Sequence, residues 1–189
     1  MSASGGRSTS LIDGSRSRRG AAFAEASLPG SVPAAASPGV PRVQLLVFRL
    51  EGREHAVPVG HVIEVLRMVA VTSLPEAPPW VAGVINLRGR VIPVIRLRDR
   101  LRMPPRATEI STPIIVVEAA GVAAGLVADE VVEVLALTSD EMEAPDARTV
   151  PAPAVSALAR HGERLVVVLD TERILEGSGA LDAGGHREN

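Results

Sequence analysis

The chain carries an internal repeat. Shifted by 69 positions, the stretch that begins at Leu45 lies on the stretch that begins at Ile114 for twenty-odd residues without a gap. Val47 falls on Val116, Phe48 on Val117, Gly52 on Gly121 and Val57 on Leu126. Val62-Ile63-Glu64-Val65-Leu66 falls on Val131-Val132-Glu133-Val134-Leu135. At a shift of 74 the register resumes, with Val91 to Ile95 over Leu165 to Leu169 and Leu101 over Leu175. The body therefore consists of two related halves of about 60–70 residues, a size at which an isolated unit buries only about 60% of its surface and is marginal. The halves are expected to pack together around a shared apolar seam. The edges of such a seam are grooves, and grooves at junctions are favoured binding places.

Within each half, short β-branched runs alternate with turn signals: 43–48, 55–59, 62–66 and 91–95 in the first, 114–117, 125–135 and 165–169 in the second. Many short strands at close spacing indicate an all-β barrel or sandwich. Helix is expected only around 97–102 and 171–176. Residues are 46% hydrophobic but only 2% aromatic, so the core must be built of Val, Leu, Ile and Ala. Recognition by base stacking or an aromatic cage is disfavoured.

The folded body spans about 42–176. Residues 1–41 are Ser, Gly, Ala and Pro with scattered Arg, and such a mixture cannot bury enough apolar surface to order itself. They read as a disordered arm, and 177–189 as a flexible tail. Glu25 and Pro29 interrupt the one stretch that imitates a secretory leader. No stretch reaches the roughly 18 apolar residues of a spanning helix, so no direct membrane insertion is expected.

Catalytic chemistry finds no foothold. The absence of Cys removes disulfides, thiolate metal sites and thiol nucleophiles. All 20 basic residues are Arg, which excludes a Schiff-base or P-loop lysine. Histidines at 55, 61, 161 and 186 lack metal-ligand spacing, and no nucleophile elbow or dinucleotide loop is present. No enzyme activity, metal or cofactor is expected.

Leu74-Pro75, Pro79-Trp80-Val81, Gly83, Asn86-Leu87-Arg88-Gly89, Ile92-Pro93 and, later, Gly125-Leu126 with Asp129 form an ordered set. Across about 43–176 the chain resembles the CheW family of chemotaxis coupling proteins. The resemblance implies two tandem SH3-like five-stranded β-barrels sharing a hydrophobic core, the first over about 42–110 and the second over about 111–176. It implies a non-enzymatic cytoplasmic adaptor at receptor arrays. Its partners would be the cytoplasmic tip of methyl-accepting receptors, the regulatory domain of a CheA-type histidine kinase and, in rings, other CheW-like domains. Receptor contact carries over to Arg88 in its Asn86/Gly89 turn, with an apolar lining at Val62 and Val65. One departure is Arg96, where the family usually has Asp; the second half keeps the acid at Asp170.

The segment 88–106 holds seven Arg and one Asp in a chain of net charge −2. Strand alternation places Val91, Pro93, Ile95 and Leu97 toward the core. It places Arg90, Arg96 and Arg98 outside with Ile92 and Val94, a mixed face suited to a protein interface or simply to solvent. Asn86 is expected to close the Arg88-Gly89 turn through its side chain. Pro93, lacking an N–H, suggests an edge or bulged strand, and Trp80 a pin between a rigid connection and the core. A small barrel using the arginines to bind nucleic acid is the competing reading. The pI near 6.1 and the scarcity of rings weigh against it.

Overall fold

Three of the hairpin turns of this protein share one geometry. Glu51-Gly52, Arg88-Gly89 and Ala120-Gly121 each place two successive residues at positive φ. They join strands in two-residue loops, whose flanking pairs are Leu50↔Arg53, Leu87↔Arg90 and Ala119↔Val122. Two positive φ values in a two-residue loop make a type I′ turn, whose twist matches that of the strands it connects. Gly52 and Gly121 stand at corresponding positions of the two halves, whereas Gly89 falls on Glu163, and the hairpin closed by His161↔Arg164 turns at Gly162 instead.

The computed structural model describes residues 42–145 and 154–178. The expected arm at 1–41 and all of the expected tail beyond Ser178 lie outside the described residues. In the first half the elements are β1 (Arg42–Leu50), β2 (Arg53–Pro58), β3 (Val62–Arg67), β4 (Val81–Leu87), β5 (Arg90–Arg96) and α1 (Leu97–Arg100). The second half supplies β6 (Pro113–Ala119), β7 (Val122–Val127), β8 (Glu130–Thr138), β9 (Met142–Glu143), β10 (Val155–His161), β11 (Arg164–Leu169) and α2 (Thr171–Leu175). Gly177 and Ser178 do not begin a tail: Ser178 is buried and both its N–H and its hydroxyl donate to the Leu175 carbonyl.

Strands form two sheets, ordered β8-β1-β2-β11-β10-β9 and β3-β6-β7-β5-β4. Exchanging each strand for its repeat partner converts the first order into the second, apart from the two-residue β9. The barrels are nevertheless not the sequence halves. One sheet is continuous from Val62 to Val127, and the other joins β1 and β2 to β8–β11 across it. The boundary near residue 110 therefore separates repeats and not barrels; the chain changes sheets at Val59–His61 and again at Ala128-Asp129.

Strands β1 and β6 lie at the centre of this arrangement and are buried on both faces. Leu45 and Val47 enter the core of one barrel, and Ile114 and Val116 that of the other. Leu46, Phe48 and Leu50 meet Ile115, Val117 and Ala119 in a third cluster, the seam, which also holds Ile95, Leu97, Leu126 and Ile174. Strand β5 follows the same logic, correcting the simple alternation: Ile92 and Val94 are buried inside their barrel, while Val91 is 50% exposed. Nor is β5 an edge strand, since it pairs with β4 and with β7. Its ladder with β7 starts at Val94, one residue past Pro93.

His55 on β2 is buried, its ring stacked on Phe48 with centroids 6.2 Å apart and its Nδ1 3.1 Å from the Arg53 carbonyl. Burial holds its pKa below the ordinary 6.5, more strongly than the Arg53 carbonyl raises it. The unfolded chain then takes up the proton first, so the contribution to stability is complete above 6.5 and declines as pH falls. Urea unfolding between pH 7 and pH 5 is expected to show stability dropping by at most about 1.4 kcal/mol per pH unit. His55→Phe should flatten that slope.

Candidate functional site

At the β4–β5 turn, Arg88 has φ 51° and Gly89 φ 89°. Asn86 Oδ1 accepts the Gly89 N–H at 2.9 Å, as the sequence leads one to expect. The side chain of Arg88 is thereby held out from the sheet and is 78% exposed. Its Nη2 donates to Glu64 Oε2 on β3 at 3.1 Å. Strands β3 and β4 are the two edges of their sheet, so this ion pair spans the barrel's opening. The closure is reinforced where Thr72 exchanges two backbone hydrogen bonds with Val84, at 2.8 and 2.9 Å.

Along β3, exposure alternates. Val62 is half-buried against the seam, whereas Ile63 and Val65 are 48% and 44% exposed on the other face. The expected joint lining by Val62 and Val65 is therefore split: Val62 marks the seam edge, and Val65 shares the open face with Ile63. Ile63 escaped the sequence reading, although its spacing of two from Val65 is the signal for a shared strand face.

The arginine run is consumed largely inside the chain. Arg98, expected at a partner interface, instead forks onto Asp129, Nε to Oδ1 at 3.0 Å and Nη2 to Oδ2 at 2.6 Å, with both side chains under 15% exposed. Asp129 Oδ2 also accepts the Glu51 N–H at 2.8 Å, and the Asp129 N–H donates to the Arg49 carbonyl. Arg96 binds Asp99 and the Pro79 carbonyl. Arg96 stands where the second half has Asp170, and α1 has no side-chain cap, while Asp170 caps α2 by accepting the Arg173 N–H. Arg100 donates to the carbonyls of Arg173, Ile174 and Glu176 and covers the Trp80 ring at 4.6 Å. Trp80 itself packs against the seam, as a pin should.

Arg90 reaches Glu118 at 3.4 Å, with both side chains exposed. Of the residues expected to contact partners, Arg88 and Arg90 present exposed cations, Arg96 is partly exposed, and Arg98 is structural. With six of the seven arginines engaged inside the chain, the stripe that suggested nucleic-acid binding is a set of internal staples.

The chain is a double β-barrel with an apolar seam and an exposed arginine held in a closed turn. The CheW-like domain profile matches residues 44–178. Chemotaxis protein CheW of Bacillus subtilis is 30% identical over 135 residues, covering 70% of this chain and 86% of that protein. Chemotaxis protein CheW of Klebsiella aerogenes is 31% identical over 134 residues, 70% of this chain and 81% of its own. Among solved structures, the scaffolding protein TtCheW from Thermoanaerobacter tengcongensis superposes with a TM-score of 0.68 at 32% identity, covering 73% of this chain and 95% of the other. The chain belongs to the CheW-like family, and its function is that of a chemotaxis coupling adaptor.

Proposed function

We propose that the chain joins the cytoplasmic tips of methyl-accepting receptors to a CheA-type histidine kinase, in arrays at the inner face of the membrane. The receptor tip helix lies along the seam edge marked by Val62, with Arg88 as its polar anchor and Asn86 and Gly89 fixing the turn that presents it. The kinase's homologous regulatory domain, or another CheW-like domain in a ring, takes a separate barrel surface. The observation that carries this reading is Arg88, held at positive φ by a closed turn and left 78% exposed, with its guanidinium meeting Glu64 on β3. Rigid presentation lowers the entropy of binding, and arginine is enriched among residues that dominate interfaces.

Arg88→Ala is expected to weaken receptor binding by more than tenfold, about 2 kcal/mol, with kinase binding retained. The exposed Arg88–Glu64 pair is worth at most about 1 kcal/mol to folding, so the variant should remain folded. Pull-downs of wild type and Arg88→Glu from lysate of the native host, read by mass spectrometry, test both partners at once. Receptor recovery unchanged by the substitution refutes the placement, and recovery of neither receptor nor kinase by the wild type refutes the adaptor reading.

A further inference from the structure

Helix α2 is tied down from outside itself. A helix leaves its last carbonyls without partners of its own, and here a side chain of the first half takes them. Arg100 donates to the Ile174 carbonyl through Nε at 3.1 Å, and through Nη2 to the carbonyls of Arg173 at 2.7 Å and Glu176 at 3.2 Å. Ser178 takes the Leu175 carbonyl, with its N–H at 3.0 Å and its hydroxyl at 2.6 Å. The same guanidinium lies 4.6 Å from the centre of the Trp80 ring, and that ring stands against Gly177, where a Cβ would meet Trp80 Cζ2 at 3.6 Å.

Two features oppose this docking. Thr171, the first residue of α2, is 2% exposed, and its hydroxyl has no hydrogen-bond partner among the described residues. The first half carries Leu97 at the matching place, inside the seam. A buried hydroxyl left unpaired is a penalty that the helix sheds when water reaches it. The flank of α2 toward the β6–β7 hairpin is also unfilled: an open cleft of about 360 Å³ is lined by Glu172, Leu175 and Glu176 on one side and by Ala119 and Val122 on the other.

We propose that α2 is a strap over the seam that opens as a unit while both barrels stay folded, with Arg100 as its latch. Its buried face is Ile174 and Leu175, both members of the seam cluster. Their release uncovers the seam at Ala119, Val122 and Trp80, so α2 controls access to the seam from this side. Proteins open locally in cooperative units less stable than the whole, and α2 is suited to be one. It is five residues long, it joins no strand ladder, and a single guanidinium holds three of its carbonyls. The inference is independent of the adaptor role.

The test is native-state amide hydrogen exchange on the full chain, read by NMR, for wild type, Arg100→Ala and Thr171→Val. The probes are the Ile174 and Ser178 amides, bonded to the Asp170 and Leu175 carbonyls, against the amides of the β6–β7 ladder. In the wild type the α2 probes should exchange at least about tenfold faster than the ladder. Arg100→Ala should speed the α2 probes by a further factor of about ten and leave the ladder unchanged, whereas Thr171→Val, which keeps the shape and removes the unpaired hydroxyl, should slow them about tenfold relative to the ladder. Exchange of α2 together with the ladder in the wild type, equal acceleration of both by Arg100→Ala, or no slowing by Thr171→Val would each overturn the proposal.

Discussion

Gly83→Ala is expected to destabilise the protein by about 4 kcal/mol, read as a fall in the urea midpoint. Gly83 has φ 144°, a conformation that a side chain strains. A Cβ there would stand 2.1 Å from the Thr72 carbonyl oxygen and 2.9 Å from Val71 Cγ1. The obstacle is backbone and cannot rotate away. It is also the carbonyl that accepts the Val84 N–H, so relief of the clash breaks the bridge that closes the barrel over β4. Overpacking costs about 1–3 kcal/mol and backbone strain about 1–3 more, out of a total stability of about 5–15. A midpoint within error of wild type would show that the 68–72 segment gives way freely.

Asp129→Ala follows, with an expected loss of about 3 kcal/mol. The carboxylate ties together α1 through Arg98, the β1–β2 turn through the Glu51 N–H and the place where the chain passes from β7 to β8. Removing it strands a guanidinium that is only 14% exposed, and breaking such a pair from one side costs about 3–5 kcal/mol when fully buried. Arg98→Ala with Asp129→Ala should cost less than the two singles added, because they share one interaction. Burial pushes the Asp129 carboxyl up, but the Arg98 fork and the Glu51 N–H outweigh it and hold the group below its ordinary 3.8. The contribution is therefore present above 3.8 and fades as pH falls through the folded-state value. Wild type and Asp129→Asn, well separated in urea at pH 7, should converge toward pH 2; an equal gap at both pH values would contradict this account.

The repeat, the strand runs, the two short helices and the Asn86-closed turn were all legible in the sequence, because each depends on local residue chemistry. Strand partners were not. The matches of Leu45–Leu66 to Ile114–Leu135 make β3 and β8 interchangeable to a reader, and the pairing of β8 with β1 and of β3 with β6 is visible only in the fold. The same limit applied to the arginines. Arg98 and Arg100 find their acceptors 31 and more than 70 residues away, distances no spacing rule reaches. Arg88 stood out for the opposite reason: its conformation is set by its immediate neighbours.

The contiguity of one barrel inside the other has a consequence for synthesis. Everything from Val62 to Val127 can pair as soon as β7 leaves the ribosome, whereas β2 finds its partner β11 only when residues near Val168 emerge, roughly a hundred residues after its own. At about 5–20 residues per second, the β1–β2 hairpin spends some seconds with Leu45, Val47 and Ala56 uncovered. The barrel of Val62–Val127 is thus complete in sequence before the other, and a slowed or truncated translation product ending before β11 should be captured by chaperones through that hairpin.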